Sequence, residues 1–237
     1  MKQAIVTGMT KGIGLSIAEM LLKEGYYVHG TYAHDDVAAA KAKTYLSTIG
    51  DAFNIIKVNQ SSLSEIHQFA LNIQEPIQCM ICNAGTTIRK PFAEITDDDW
   101  YNIMAVGLFS HICLIRDLWD QIEKNSRIIF IGSVLGELPH SVSVPYGVVK
   151  GAIHALVKNL VKEFEGTGTT INAVAPGFVD TEWQKGKSKS IRDSINNKIA
   201  LHRFAEPNEI AHAVQFILHN GYMNGATLEI HGGYNYK

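Results

Sequence analysis

The sequence predicts an α/β fold in which one doubly wound parallel sheet carries helices on both faces. Short apolar runs alternate with amphipathic segments along all 237 residues, and this alternation is typical of a parallel sheet covered by helices. No composition shift, repeat or low-complexity tract divides the chain, so we expect one domain over residues 1–237. A hydrophobic fraction of 46% and a charged fraction of 19% agree with a sizeable core.

The first half of the chain contains four predicted strands, each continuing toward a helix. The first helix has Ile13, Ile17 and Leu21 on one face, and Gly25 follows it as a stop signal. The fourth strand is an apolar run typical of a buried position. The predicted elements are strand 3–8, helix 11–25, strand 26–32, helix 35–49, strand 52–59, helix 62–73 and strand 77–85.

The second half opens with a long predicted helix over residues 96–124. It starts with Thr96 followed by three aspartates, a favourable N-terminus because the hydroxyl can cap it and the carboxylates oppose the helix dipole. Pro207 stands near the start of the last predicted helix, where proline is tolerated. The remaining elements are strand 126–133, helix 146–166, strand 169–177, helix 207–220 and strand 226–233.

Charge and composition exclude several classes of protein. A formal net charge of −2 indicates no nucleic-acid surface. No apolar run approaches the ~20 residues that span a bilayer, and the N-terminus lacks a signal-peptide layout, so we expect a cytoplasmic protein. Cys79 and Cys82 form a C-x-x-C inside a predicted strand, where side chains three apart point to opposite faces, so we interpret them as structural. No histidines pair at H-x-x-x-H spacing, and no metal site is predicted.

Ligands of such sheets bind beyond the carboxyl ends of the strands, so the segments after the strands are the informative ones. Residues 8–14 follow the first strand and contain three glycines. Glycines let backbone N–H groups approach a pyrophosphate at a helix N-terminus, although a tight turn without a ligand would need the same residues. Asn83-Ala84-Gly85 follows the fourth strand and is either a close cofactor passage or an ordinary turn.

Ser133, Tyr146 and Lys150 form a candidate proton-transfer group. Tyr146 and Lys150 are four residues apart, so they share one face of a helix. An ammonium beside a phenol favours the phenolate and lowers the pKa of tyrosine from its usual ~10. A serine hydroxyl can hydrogen-bond the same oxygen that the phenol contacts, and the trio can then exchange a proton with it. Tyr-x-x-x-Lys also occurs by chance on many helices.

The ordered set of motifs resembles the short-chain dehydrogenase/reductase family, which has a Rossmann-type fold. The likeness covers essentially the whole chain and is greatest to the 3-oxoacyl-[acyl-carrier-protein] reductases of that family. The motifs are T-G-x-x-x-G-I-G at Thr7–Gly14, N-A-G at Asn83–Gly85, Ser133 with Tyr146-x-x-x-Lys150, N-A-V-A-P-G at Asn172–Gly177, and Gly232-Gly233.

The resemblance implies a role for each matching residue. Tyr146 is expected to be the general acid, Lys150 to lower its pKa and hold the nicotinamide ribose, and Ser133 to bind the substrate carbonyl. His140 lines the substrate pocket or belongs to a surface loop. The expected cofactor contacts are Gly8, Thr10, Lys11, Gly12, Ile13, Gly14, Tyr32, Ala33, Asn59, Gln60, Asn83, Ala84, Gly85, Tyr146, Lys150, Pro176, Gly177, Val179 and Thr181.

The residues near the second strand favour NADP over NAD. NAD-preferring members carry an aspartate at the end of that strand, and the corresponding position here is Tyr32, with Asp35 and Asp36 further on. Lys11 stands where NADP-preferring relatives often carry a base that pairs with the 2′-phosphate, and His34 could add a contact. Lys11 could instead be a solvated surface residue.

Two departures from the family pattern affect the functional hypothesis. Gly107 stands where relatives carry an asparagine whose main-chain carbonyl is thought to hold a relay water, and because glycine retains that carbonyl we expect Gly107→Asn not to reduce turnover severely. Thr167 stands where the carrier-protein reductases usually have an arginine, which weakens the case for carrier docking. Other basic residues near the expected mouth are Lys124, Lys185, Lys187 and Lys189; the last three could dock an acidic partner or simply solvate a loop.

The sequence therefore predicts an NADPH-dependent oxidoreductase that reduces a keto group to a secondary alcohol. A 3-oxoacyl thioester of fatty acid synthesis is the expected substrate, and an acyl carrier protein is a possible partner. The alternatives are a reductase or dehydrogenase of another small ketone or alcohol, and a non-catalytic NADP-binding protein. The resemblance implies a homotetramer built partly from the fourth and fifth helices. Trp100, Phe109 and Trp119 on the fourth helix are interpreted as core or interface anchors.

Overall fold

The computed structural model describes residues 1–139 and 143–235. Its centre is a sheet with the strand order β3-β2-β1-β4-β5-β6-β7, and every neighbouring pair is parallel. The strands are β1 Lys2–Val6, β2 Tyr26–Tyr32, β3 Phe53–Lys57, β4 Ile77–Cys82, β5 Ile122–Ile131, β6 Thr170–Pro176 and β7 Thr227–Ile230.

Helices cover both faces of the sheet, as the alternation of elements predicts. The α-helices are α1 Gly12–Lys23, α2 Asp36–Leu46, α3 Leu63–Leu71, α4 Asp97–Met104, α5 Ser110–Asp117, α6 Val144–Glu163, α7 Lys189–Asn196 and α8 Pro207–His219. One turn of π-helix, Ala105–Phe109, joins α4 directly to α5.

The core has one layer on each side of the sheet, because successive strand residues point to opposite faces. In β5, Ile128 and Phe130 pack with α3, α5 and α6, whereas Ile129 and Ile131 pack with α1 and α8. Cys79 and Cys82 also lie in opposite layers as buried free thiols. Burial raises the pKa of both thiols, that of Cys79 to about 12, which agrees with a structural role.

The predicted helix over residues 96–124 is wrong at its C-terminal end. Its start is confirmed: Thr96 accepts from the Asp99 amide in a capping box. Helix α5, however, ends at Asp117, and Ile122 already pairs with Ile77 of β4. Pairing with the neighbouring strand decides the conformation of residues 122–125. The polar, exposed side chains of residues 123–125 resemble the end of an amphipathic helix.

Helix α7 was not predicted from the sequence. It spans eight residues, and its apolar face consists of Ile191 and Ile195 alone, too short a pattern for the window over which helical periodicity is recognised. Its start is nevertheless encoded locally, because the Ser188 hydroxyl accepts a hydrogen bond from the Ile191 amide. This short helix follows the segment after β6 and, with it, contributes charged side chains near the site described next.

Candidate active site

A cavity of about 420 Å³ opens beyond the carboxyl ends of the strands. It lies where β1 is flanked by β2 on one side and β4 on the other, which is the switch point of the doubly wound sheet and the usual ligand site of such folds. Its walls come from the glycine loop, the segments after β2, β4, β5 and β6, and the first turns of α6.

The glycine loop has a backbone that requires glycine. Gly8 has a φ of +67°, a conformation that residues with a side chain rarely adopt. A Cβ atom on Gly14 would lie 2.2 Å from the Gly8 carbonyl oxygen and 2.6 Å from Asn83 Nδ2. The third glycine therefore permits a close approach between the start of α1 and the loop, and it leaves the backbone open toward the cavity.

Thr7 and Asn83 hold the two predicted cofactor loops together. Asn83 Nδ2 donates to the carbonyl oxygens of Thr7, at 2.8 Å, and Gly8, at 3.1 Å. The Thr7 hydroxyl oxygen in turn accepts from the amides of Asn83 and Ala84, both at 2.9 Å. The side chain of Asn83 thus positions the glycine loop rather than reaching freely into the cavity.

His111 extends this buried network and was missed by sequence reasoning. Its Nε2 atom lies 3.2 Å from the Thr7 hydroxyl. Because that oxygen already accepts two amide hydrogens, its own hydrogen is available for His111 Nε2, with the Ile81 carbonyl 3.4 Å away as the competing acceptor. Burial, with a contribution from the Lys150 charge, lowers the pKa of His111 to about 3. The neutral His111 therefore supports the glycine loop through Thr7. A single histidine in an apolar helix gives no indication of such a role in the sequence.

The structure brings Ser133, Tyr146 and Lys150 together on the cavity wall. Ser133 is the second residue after the end of β5, and its Oγ accepts a hydrogen bond from the Leu135 amide at 3.1 Å. Tyr146 and Lys150 lie one turn apart on α6, with Lys150 Nζ 5.6 Å from the centre of the Tyr146 ring. Lys150 Nζ also donates to the Ile131 carbonyl at 2.6 Å, which ties α6 to the end of β5.

The sequence predicts that Lys150 lowers the pKa of Tyr146, whereas burial is the main influence on that pKa in the structure. Burial raises the pKa of Tyr146 above its usual value, and a hydrogen bond with Ser133 opposes this shift. Burial also lowers the pKa of Lys150 to about 8. The Lys150 ammonium is engaged by the Ile131 carbonyl instead, so Ser133 is the group that favours the Tyr146 phenolate here.

Lys11 is paired with Asp35, one of the two aspartates that follow Tyr32 in the sequence. Lys11 Nζ lies 2.8 Å from Asp35 Oδ2, while Asp35 Oδ1 accepts from the Ala38 amide and caps α2. Both residues line the cavity, together with Tyr32 and His34. The end of the cavity beyond β2 therefore holds an ammonium and a carboxylate side by side, rather than an unpaired cation.

Most of the predicted cofactor contacts line the cavity, but Asn59 and Gln60 do not. Gln60 is buried beneath the loop, where its Nε2 donates to the Thr31 hydroxyl at 3.0 Å. Asn59 Oδ1 accepts from the amide and hydroxyl of Ser61. His140 lies outside the described residues. The cavity lining that matches the prediction is Gly8, Thr10, Lys11, Gly12, Ile13, Gly14, Tyr32, Ala33, Asn83, Ala84, Gly85, Ser133, Tyr146, Lys150, Pro176, Gly177, Val179 and Thr181.

Several lining residues were not predicted, and most of them follow β4 or β6. The Trp183 ring lies edge-on to the Tyr146 ring with 6.2 Å between their centres. For most of the missed residues, a position in the segment after β4, β5 or β6 was the signal that could have identified them. The cavity residues missed by sequence reasoning are Thr87, Arg89, Ile131, Gly132, Val134, Leu135, Ser143, Phe178, Glu182, Trp183 and Gln184.

Gly107 lies in the π-helical turn and faces α6. A Cβ atom there would lie 2.7 Å from Val149 Cγ1, and Val149 stands between Tyr146 and Lys150 in the sequence. The expectation that turnover survives an asparagine at 107 stays a prediction. A Cβ atom at this position overlaps the Val149 side chain, so the substitution requires Val149 to move.

Two further properties concern the described part of the chain. Residues 1–139 and 143–235 contain no group of three or more His, Cys, Asp or Glu side chains arranged to hold a metal ion. Among the same residues, no helix combines the length and apolarity needed to cross a membrane.

Known proteins share both the sequence pattern and the architecture. A family profile described as enoyl-(acyl carrier protein) reductase matches residues 8–235. A short-chain dehydrogenase/reductase from Serratia marcescens is 28% identical and superposes with a TM-score of 0.92, over 99% of this chain and 98% of that one. The chain belongs to the short-chain dehydrogenase/reductase family.

Relatives within the short-chain dehydrogenase/reductase family include named reductases. A 3-oxoacyl-[acyl-carrier-protein] reductase of Haemophilus influenzae is 32% identical, over 98% of this chain and 97% of the relative. An uncharacterized oxidoreductase of Bacillus subtilis is 33% identical over 99% of both chains. Membership of this family makes the protein an oxidoreductase of keto or hydroxyl groups.

The residues of this short-chain dehydrogenase/reductase fit a nicotinamide dinucleotide. Gly8 has a positive φ, and Gly14 has no room for a Cβ atom. Because both residues are glycines, the backbone of the loop is open to a pyrophosphate. A blue fluorescent protein from a metagenomic library, solved in complex with NADPH, is 26% identical with a TM-score of 0.90, over 98% of this chain and 97% of that one.

Proposed function

We propose that the protein uses NADPH to reduce the keto group of a 3-oxoacyl thioester to a secondary alcohol. The observation that carries this proposal is the convergence of Ser133, Tyr146 and Lys150 on the cavity formed by the glycine loop. Names of relatives support the substrate class: besides the Haemophilus reductase, an acetoacetyl-CoA reductase of Allochromatium vinosum is 32% identical over 97% of both chains. A role in fatty acid synthesis follows from the same likeness.

The chemistry of the site suits reduction of a carbonyl. When bound, NADPH supplies the hydride. The Ser133 hydroxyl donates a hydrogen bond to the substrate oxygen, and the Tyr146 phenol gives that oxygen a proton as negative charge develops on it. Because burial raises the pKa of Tyr146, the phenol carries its proton at neutral pH and serves as an acid. Lys150, with a pKa of about 8, is charged at neutral pH and can hold the nicotinamide ribose.

The remaining lining residues divide between the two ends of the cofactor. Gly8, Gly12 and Gly14 face the pyrophosphate, and Lys11 is placed for the 2′-phosphate of NADPH. Val179 and Thr181 are placed for the nicotinamide amide. Preference for NADPH rests on Lys11 exchanging its Asp35 partner for the phosphate, which carries more negative charge than one carboxylate and is held more strongly by a cation.

A homotetramer in the cytoplasm, with an acyl carrier protein as a possible partner, completes the proposal. Large exposed side chains on α4, the π-helical turn and α6 support a subunit contact along these elements. Tyr101 is 72% exposed, Phe109 42% and Val148 48%. Trp119, by contrast, packs on Phe164 with 4.6 Å between the rings, so it contributes to the core as much as to a surface.

The test follows NADPH absorbance with acetoacetyl-CoA and a panel of small ketones. Tyr146→Phe should reduce turnover roughly 100- to 10,000-fold, the contribution of a positioned acid, and leave NADPH binding intact. Tyr222→Phe removes the hydroxyl of a tyrosine that is 99% exposed and serves as the control.

Each alternative has its own outcome in this assay. Turnover of other ketones but of no thioester favours a different small substrate. Cofactor binding without turnover, unchanged by Tyr146→Phe, favours a non-catalytic NADP-binding protein. Similar kcat/KM values for NADH and NADPH would contradict the cofactor preference.

A further inference from the structure

We propose that Arg89 and Lys187 form a binding site for an anionic group of the substrate, beside the part of the cavity where the carbonyl is reduced. The inference rests on the proposed function, since it gives that substrate a phosphate or a carboxylate in addition to its keto group. Four features of the described residues carry it: a cation on the cavity wall, a buried ammonium group without a partner, the charges around them, and the contact of Trp183, on the same wall as Arg89, with Tyr146.

Arg89 is an exposed arginine on the cavity wall after β4. Its neighbour Lys90 lies 2.7 Å from Asp99, an ion pair that fixes Lys90 to the start of α4. Arg89 forms no ion pair with any residue in the ranges that the structure describes. A guanidinium binds carboxylate and phosphate groups through two parallel hydrogen bonds, so Arg89 can present both donors to a ligand in the cavity.

Lys187 differs from the two lysines that flank it. Lys185 pairs with Glu182, and Lys189 lies 2.6 Å from Asp193. The ammonium nitrogen of Lys187 is instead buried and has no hydrogen-bond partner within residues 1–139 and 143–235. Burial of an unpaired charge is unfavourable, and an anion that reaches the ammonium group removes that cost.

The charges around Lys187 leave an excess of positive charge. Burial lowers the pKa of Lys187, and the charges of Arg89 and Arg192 lower it further. Arg192 is neutralised by Asp180 through two hydrogen bonds of 3.1 and 2.9 Å. The Glu182 carboxylate lines the cavity, but it forms an ion pair with Lys185. Arg89 and Lys187 thus remain without a counter-ion and attract an anion to this wall.

This wall adjoins the reaction site and not the far end of the cofactor. Trp183 contacts Tyr146 edge to face. Gln184 follows it in the lining as a buried side chain whose Oε1 has no partner among the described residues, so the amide is a further polar group for a ligand. The cation for the cofactor phosphate, Lys11, lies beyond β2 instead. The anion at Arg89 and Lys187 therefore belongs to the substrate: the phosphate of a pantetheine-type thioester, or a carboxylate of the keto compound itself.

Two matched pairs of probes separate these sources by calorimetry on the NADP⁺-saturated protein. The first pair is phosphopantetheine and pantetheine; the second is 4-oxopentanoate and its methyl ester. We expect the anionic member of one pair to bind roughly 10- to 100-fold more tightly, the effect of a charge-assisted hydrogen bond. Arg89→Gln should remove that difference, Lys187→Gln should reduce it, and Lys189→Gln, which breaks only a surface pair, should retain it.

The pair that discriminates identifies the source of the anion. Equal affinities within both pairs in the wild-type protein would overturn the inference, as would a difference that survives both Arg89→Gln and Lys187→Gln. Arg89 is exposed, so its variant provides a test even if Lys187→Gln does not fold. Reduction of neutral ketones without any preference for anions would refute this site alone, whereas anion binding without turnover of any ketone would refute the proposed activity alone.

Discussion

The contact between Gly107 and Val149 predicts that asparagine at position 107 destabilises the protein. Its Cβ would lie 2.7 Å from Val149 Cγ1, whereas carbon atoms normally approach to about 3.5–4.0 Å. Overpacking of this kind costs about 1–3 kcal/mol, and replacing a helical glycine by asparagine recovers only about 0.3 kcal/mol. We therefore expect Gly107→Asn to lower the Tm by roughly 2–10 °C for a domain of this size.

Thermal denaturation of four proteins tests the origin of the loss. Besides the wild type and Gly107→Asn, it needs Val149→Ala, which removes Cγ1, and the double variant. If overlap is the cause, the two substitutions are not additive and the double variant regains at least ~1 kcal/mol. Gly50→Asn is the control, because a Cβ on Gly50 meets nothing within 4 Å; it should change stability by less than about 0.5 kcal/mol.

Turnover provides a second readout of the same contact. Displacement of Val149 moves the α6 turns that carry Tyr146 and Lys150, so kcat should fall in Gly107→Asn and recover in the double variant. An unchanged Tm in Gly107→Asn, or strictly additive effects with Val149→Ala, would refute the overlap between the π-helical turn and α6.

Three other substitutions test the charges of the site. Asp35→Asn keeps the cap of α2 but frees Lys11, so the ratio of kcat/KM for NADPH over NADH should rise roughly 2- to 5-fold; Asp193→Asn is the control, and an unchanged ratio in Asp35→Asn would contradict a competing carboxylate. The pKa of Lys150 is about 8, below the 10.5 of a free lysine, so the unfolded chain binds that proton more tightly and the free energy of unfolding rises with pH between these values; urea titrations of Lys150→Met should lack this rise, and parallel pH profiles would show that the lysine is not perturbed. Lys187→Met removes a buried unpaired ammonium and should raise the Tm by roughly 2–4 °C, whereas a lower Tm would indicate a partner that stabilises it.

The order of strands and helices could be predicted because the hydrophobic residues of each segment recur with the period of a strand or of a helix. The strand over Tyr26–Tyr32 is predicted with the observed bounds, since aromatic and β-branched residues predominate there and Gly25 marks the end of the preceding helix. The start of β5 was missed because its exposed first residues have no apolar alternation, and pairing of Ile122 with Ile77 supplies the missing information. Helix α7 was missed because its apolar face consists of Ile191 and Ile195 alone, which is too short a pattern to show a period.

Placement after a strand correctly predicted which segments line the cavity. Ser133, Tyr146 and Lys150 converge because parallel strands bring their carboxyl ends to one edge of the sheet. Asn59 and Gln60 also follow a strand, yet the turn after β3 directs Gln60 toward Thr31 and away from the cavity. Placement after a strand therefore predicts proximity to the edge, but not the direction of the side chain.

The sequence by itself determined the doubly wound sheet, the glycine loop and the three residues of the proton-transfer group, because periodicity and the spacing of these motifs are local properties of the chain. Only the tertiary structure decided which charges are satisfied. It pairs Lys11 with Asp35, leaves Lys187 buried without a partner among the described residues, and sets Gly107 against Val149. These contacts join residues from separate elements, and their energies depend on distances and burial that appear only when helices and strands pack together.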